Sequence, residues 1–199
     1  MKRTLLAALV PAALSIAGCG TFYAEAEQPE VCLTVLPQTF TIPGGGVVAP
    51  PGGFQGTFGG QVDLGISDAV PDFILNGPEQ NHILRFLSMQ ASLAGSSGTA
   101  NFDWLEDLSL TVSNGVTTSQ LGFYSGGLPA NSRVLKVGAL SADNNLITFL
   151  KSGTMVLYLE GSVAVPGGAQ VPASWTGSIQ GCFYAKVKKT FDEIINSAK

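Results

Sequence analysis

The sequence predicts an all-β chain: an antiparallel β-sandwich, immunoglobulin-like or jelly-roll-like, with one or two short helices. Three observations carry this. Charged residues make up only 12% of the chain while it holds 25 Gly and 11 Pro, a composition of strands and tight turns. Residues 54–66 alternate strictly, with Phe54, Gly56, Phe58, Gly60, Val62, Leu64 and Ile66 on one side and mostly polar residues on the other. A period of two sustained that long marks a half-buried strand with one wet face. Eight or nine short segments of this kind, separated by turn signals at roughly even spacing, favour a sandwich or barrel.

The chain opens on a leader. Lys2 and Arg3 precede an apolar run that Pro11 interrupts, and small residues follow up to Gly18. The run is too short for a bilayer-spanning helix, which needs about 20 residues. Residues 1–18 therefore read as a secretory signal peptide. Its ending, Leu14-Ser15-Ile16-Ala17-Gly18-Cys19, resembles the lipobox of bacterial lipoproteins. The resemblance covers roughly the first tenth of the chain. It implies cleavage between Gly18 and Cys19, a diacylglyceryl group on the Cys19 sulfur and acylation, as by palmitate, of the new amine. In that class a residue after the cysteine other than Asp implies sorting to the outer membrane, and Gly20 fits. The alternative is an ordinary leader whose cysteine later pairs in a disulfide. Lipidation with two or more chains gives a stable anchor, where one chain holds only marginally.

Residues 19–30 read as the lipidated cysteine and a short polar tether, and residues 31–199 as a single sandwich domain. Residues 31–36 form the first expected strand, ended by Pro37, with a short continuation over 39–42. Residues 43–53 are a breaker-rich loop that lacks the Gly-Lys-Ser/Thr ending of a phosphate cradle. The long alternating strand over 54–66 follows, then a connection over 67–78. Residues 82–94 mix helical and strand spacing, and alternation from Leu87 decides for a strand. Residues 108–113 and 116–124 flank the hairpin signal Asn114-Gly115, the second with the mixed faces of a sheet edge. Residues 133–140 add a short strand.

Residues 143–153 predict a short helix capped by Asp143 or Asn144 and closed by Gly153. Two long strands come last, over 154–165 and 173–188. In the final one Trp175, Gly177, Ile179, Gly181, Phe183, Ala185 and Val187 share a face. Thr190 to Glu193 read as a capping box opening a terminal helix.

Three cysteines leave an even pair once Cys19 carries lipid. Cys32 and Cys182 both project from the less apolar side of their strands, so the pleat predicts that the first and last strands are neighbours joined by a Cys32–Cys182 disulfide.

Chemistry is scarce. The one histidine, His82, has no Gly-x-Ser-x-Gly elbow to serve, so no nucleophilic device is expected, nor any zinc site or other cofactor. Asp63, Asp68 and Asp72 form one acidic cluster, and Asp103, Glu106 and Asp107 a second, without EF-hand spacing. Glycosidase chemistry needs two carboxylates at a set separation; Glu106 and Glu160 are available in or beside strands, but nothing in the sequence pairs them. Phe102, Trp104, Tyr124 and Trp175 are candidates for a sugar-stacking platform, with Trp175 read as core.

Without the leader the chain carries a net charge of −6, because two of its 10 bases precede Cys19 and all 14 acids follow it. An acidic body argues against nucleic acid as a partner. The expectation is a non-catalytic envelope lipoprotein. It would meet the membrane through its N-terminal lipid and have an envelope protein or glycan as further partner. A binding module for a lipid, glycan or small apolar ligand is the alternative, and a hydrolase the weaker one.

Overall fold

The computed structural model describes residues 23–64, 66, 82–94, 101–152 and 155–190. Among these residues, eight strands and one helix are described, and the strands form two antiparallel four-stranded sheets. They are β1 (Tyr23–Thr41), β2 (Phe54–Val62), β3 (His82–Leu93), β4 (Leu105–Ser113), β5 (Thr118–Ser125), β6 (Val134–Gly138), β7 (Val156–Val165) and β8 (Ser174–Thr190), with one helix, α1 (Ile147–Lys151), before β7. Sheet I has the order β1-β8-β3-β6 and sheet II the order β2-β7-β4-β5. The pairs β1·β8, β2·β7, β3·β6 and β4·β5 nest inside one another, as if one long hairpin had been rolled so that its halves alternate between layers. That connectivity is the jelly roll, and it settles the choice between the two expected sandwiches.

The core lies between the sheets. Sheet I contributes Leu84, Phe86, Met89, Leu135, Val137, Trp175, Ile179 and Phe183. Sheet II contributes Phe58, Val62, Leu108, Leu110, Val112, Leu121, Leu157, Leu159 and Val163. Edge-to-face rings run through it, from Phe40 to Phe58, Phe58 to Trp175 and Trp175 to Phe102, with centroids 6.3, 5.1 and 5.4 Å apart. Glycine makes the close packing feasible. A Cβ at Gly161 would stand 2.6 Å from the Phe58 ring and 2.6 Å from the Asp107 carbonyl oxygen.

Several expected boundaries move, each for a physical reason. The tether over 19–30 is largely strand: β1 begins at Tyr23, and Tyr23 pairs with Thr190. Pro37 does not end the first strand. Register shifts place an extra β1 residue between Gln28 and Val31 and another between Val35 and Gln38, so Pro29 and Pro37 fall in bulges. A bulged edge strand is where a residue without an N–H donor is tolerated. β3 begins at His82 and not at Leu87, because a bulge between Phe86 and Ser88 resets the phase. Leu84 and Phe86 face the core before it and Met89 after it, while Leu87 is left exposed. That reset is what mimicked helical spacing.

The long alternating strand stops at Val62, although Leu64 and Ile66 still pack on the core. β5 starts at Thr118 and β6 spans only Val134–Gly138. Thr190 is the last residue of β8, and the rest of the expected capping box and terminal helix falls on residues 191–199, which lie outside the described set.

The predicted helix is only five residues long, and neither Asp143 nor Asn144 caps it: Leu146 holds the N-cap position without a side-chain bond. Asn144 is occupied elsewhere, while Asn145 Oδ1 accepts the Ile147 N–H at 3.3 Å as well as serving the strand edge. β6 pairs with β3 only over Ser88 to Ser92, leaving the lower half of that edge without a strand. Asn144 Oδ1 accepts the Phe86 N–H at 2.8 Å, Asn145 Oδ1 accepts the Leu84 N–H at 3.1 Å, and the Leu146 N–H donates to the Leu84 carbonyl at 2.7 Å. Side-chain amides thus stand in for a missing strand and cover an edge that would otherwise recruit another chain. α1 then buries Ile147 and Leu150 at the lower end of the sandwich, as expected of a plug.

Candidate functional site

Cys32 and Cys182 are direct partners in the β1·β8 register, with Cα atoms 4.1 Å apart, and they form the predicted disulfide across 150 residues of sequence. The two sulfurs differ in environment. Cys32 lies on the exposed edge strand, whereas Cys182 on the inner strand is buried, because β3 flanks β8 on its other side. Gly18 and Cys19 lie outside the described residues. Tyr23, the first residue of β1, stands four residues after Cys19.

Among the described residues, an apolar void between the sheets, lined by Phe40, Phe58, Phe102, Leu135, Trp175 and Ile179 among others, measures about 30 Å³. That is roughly the share of one water in the liquid, far below the ~300 Å³ at which ligand pockets begin.

The outer face of sheet II is different. A groove of about 670 Å³ crosses β2, β7 and β4 in their upper half, lined by Thr57, Asp107, Ser109, Glu160 and Ser162, with Thr41 and Pro43 at the β2 side. Strand alternation builds it. Thr57 lies opposite Ser162, and Gly59 opposite Glu160, in the β2·β7 register, while Asp107 lies opposite Ser162 and Ser109 opposite Glu160 in the β4·β7 register. These side chains therefore form two polar rows pointing away from the core. Some are already oriented: Ser162 Oγ donates to Asp107 Oδ2 at 2.5 Å, and Gln120 Nε2 donates to Ser109 Oγ at 2.9 Å. Gly59 keeps the floor low under Glu160, since a Cβ there would meet Glu160 Cγ at 3.2 Å.

Other expected site residues are placed elsewhere. Glu160 lines this groove and Glu106 does not; the carboxylate sharing it is Asp107, one residue on, because the bulge between Leu105 and Asp107 sets which residue faces outward. The stacking platform is not assembled. Trp175 and Phe102 are core, as read for Trp175, and Tyr124 is half-buried with its hydroxyl accepting the Leu128 N–H at 3.1 Å. His82 is buried at the start of β3, opposite Val187.

Asp103 braces a loop by accepting the Asn131 N–H at 2.5 Å, and Asn131 takes a left-handed φ of 63° there. Asp68 and Asp72 lie outside the described residues. Among the described residues, the one trio of metal-type ligands close enough to share an ion is Glu30, Cys32 and Cys182, and both sulfurs are committed to the disulfide.

On the outer face of sheet I, Glu25 bridges Lys186 at 3.2 Å and Lys188 at 3.4 Å. The hydrogen bond from Lys186 holds the Glu25 carboxyl below its ordinary range and pushes the Lys186 ammonium up.

No protein-family model matches the chain, and no curated protein matches it. Among solved structures it is similar to a chain from Desmodium yellow mottle tymovirus, at 13% identity over 92% of this chain and 97% of that one, with a TM-score of 0.28. A likeness that low carries no argument about function.

Proposed function

We propose that the chain is a lipid-anchored, non-catalytic protein of the bacterial cell envelope, held at the outer membrane through Cys19, with a structural or partner-binding role. What supports this reading beyond the lipobox is the start of β1. Only residues 20–22 separate Cys19 from a strand hydrogen-bonded to the end of β8. At ~3.3–3.6 Å per residue the lipid would lie within about 14 Å of the fold. The lower end of the sandwich would rest on the bilayer and the loops over 42–53 and 166–173 would point away. The small void bounded by Phe40, Phe58 and Trp175 is no room for a lipid or apolar ligand between the sheets at that place.

Fractionation of a Cys19→Ser variant tests the anchor. The unaltered protein should incorporate a palmitate analogue and stay in the membrane fraction after a high-salt wash. The variant should do neither, yet retain the Cys32–Cys182 bridge. A variant that stays membrane-bound after the wash would overturn the assignment.

A further inference from the structure

We infer that the groove on the outer face of sheet II is a binding site for a neutral, hydroxyl-rich chain, a glycan. This goes beyond the anchoring role and does not depend on lipidation.

Shape comes first. The groove's ~670 Å³ falls within the range of ligand clefts, about 300–1,000 Å³. It crosses three neighbouring strands, so its floor runs about 10 Å from β2 to β4 at the usual strand spacing. That length suits a short stretch of linked rings lying across the strands.

Chemistry selects the occupant. The lining presents four hydroxyls, from Thr41, Thr57, Ser109 and Ser162, and two carboxylates, from Asp107 and Glu160. A carboxylate only accepts and can take two sugar hydroxyls at once; a Ser or Thr hydroxyl both donates and accepts. Vicinal hydroxyls of a saccharide match that mixture. Bonds to an ionised acceptor are the stronger ones, so Glu160 and the second oxygen of Asp107 would supply most of the affinity. The lining includes no Lys, Arg or His, which disfavours a phosphate or carboxylate ligand. A cationic peptide is disfavoured because hydroxyls outnumber carboxylates and Asp107 already accepts from Ser162.

Rigidity adds to the case. The rows sit on paired strands, β7 and β4 inside the sheet and β2 at its edge, and the Asp107–Ser162 and Ser109–Gln120 bonds pre-orient them, which lowers the ordering cost of binding.

Electrophoresis of the whole lipoprotein in detergent, through gels carrying neutral α-glucan, β-glucan, mannan or soluble chitin, tests the inference. At least one neutral polymer should retard the protein. Thr57→Trp, which fills the groove from an exposed position, should abolish the shift, and Glu160→Gln should weaken it about tenfold. Gln180→Ala on the opposite sheet should leave it unchanged, with all variants melting normally. The inference is overturned if no neutral polymer retards the protein, if both groove variants are retarded as strongly as the original, or if only polylysine is bound.

Discussion

At the scale of single residues, a few side chains decide more than their number suggests. The disulfide joins the first and last strands, so it constrains the unfolded chain over nearly its whole length. Replacing both cysteines by serine should cost about 2–5 kcal/mol, read as a lower urea midpoint. This pair was legible in the sequence, because a parity count and a period of two both act locally. The roles of Asn144 and Asn145 were not. As sequence Asn144 looks like a helix cap, and only the nearby edge of β3 turns the two amides into strand surrogates. Asn144→Ala leaves the Phe86 N–H without its acceptor and should cost about 1–3 kcal/mol in the same measurement.

Glu25 adds a pH term. Its carboxyl is more acidic folded than unfolded, so its contribution is present above the unfolded value near 4.5 and is lost as pH falls through the lower folded value. The pair is substantially exposed, so the effect is small and salt-screened. Glu25→Gln should flatten the low-salt dependence of stability on pH across that range and change nothing in high salt.

At the scale of elements, alternation located every strand and bulges explain most boundary errors. β1, β3 and β4 each break phase once or twice, and a reader of periodicity sees each break as an end or as helical spacing. The bulges on β1, with Pro29 and Pro37 inside them and Glu25, Glu27 and Glu30 beside them, also roughen a 19-residue edge against pairing with other chains. Close approach of β5 to β6 depends on Gly122, where a Cβ would stand 2.6 Å from Val137 Cγ1 and 3.0 Å from the Gly138 carbonyl oxygen. Gly122→Val should therefore cost about 1–3 kcal/mol through overpacking, measurable as a lower denaturation midpoint. A substitution at Gly115 with the same added bulk meets open space and is limited instead by its φ of 84°.

At the scale of the whole molecule, the nested pairing makes the ends of the chain meet. β8 is an inner strand of sheet I, flanked by β1 and β3. A chain truncated before Ser174 should lose cooperative unfolding altogether, as seen by circular dichroism during a urea titration, since both neighbours lose their ladders. The same topology raises the polar rows of β2, β7 and β4 into one groove from residues about a hundred positions apart. By itself the sequence determined the strands, their inward faces and the cysteine pair, because each is written in the spacing of a few neighbouring residues. Tertiary structure alone decided the jelly-roll order and the placing of Asp107 and Glu160 in one groove. Those depend on which distant strands become neighbours, and a period of two repeats identically in every strand and names no partner.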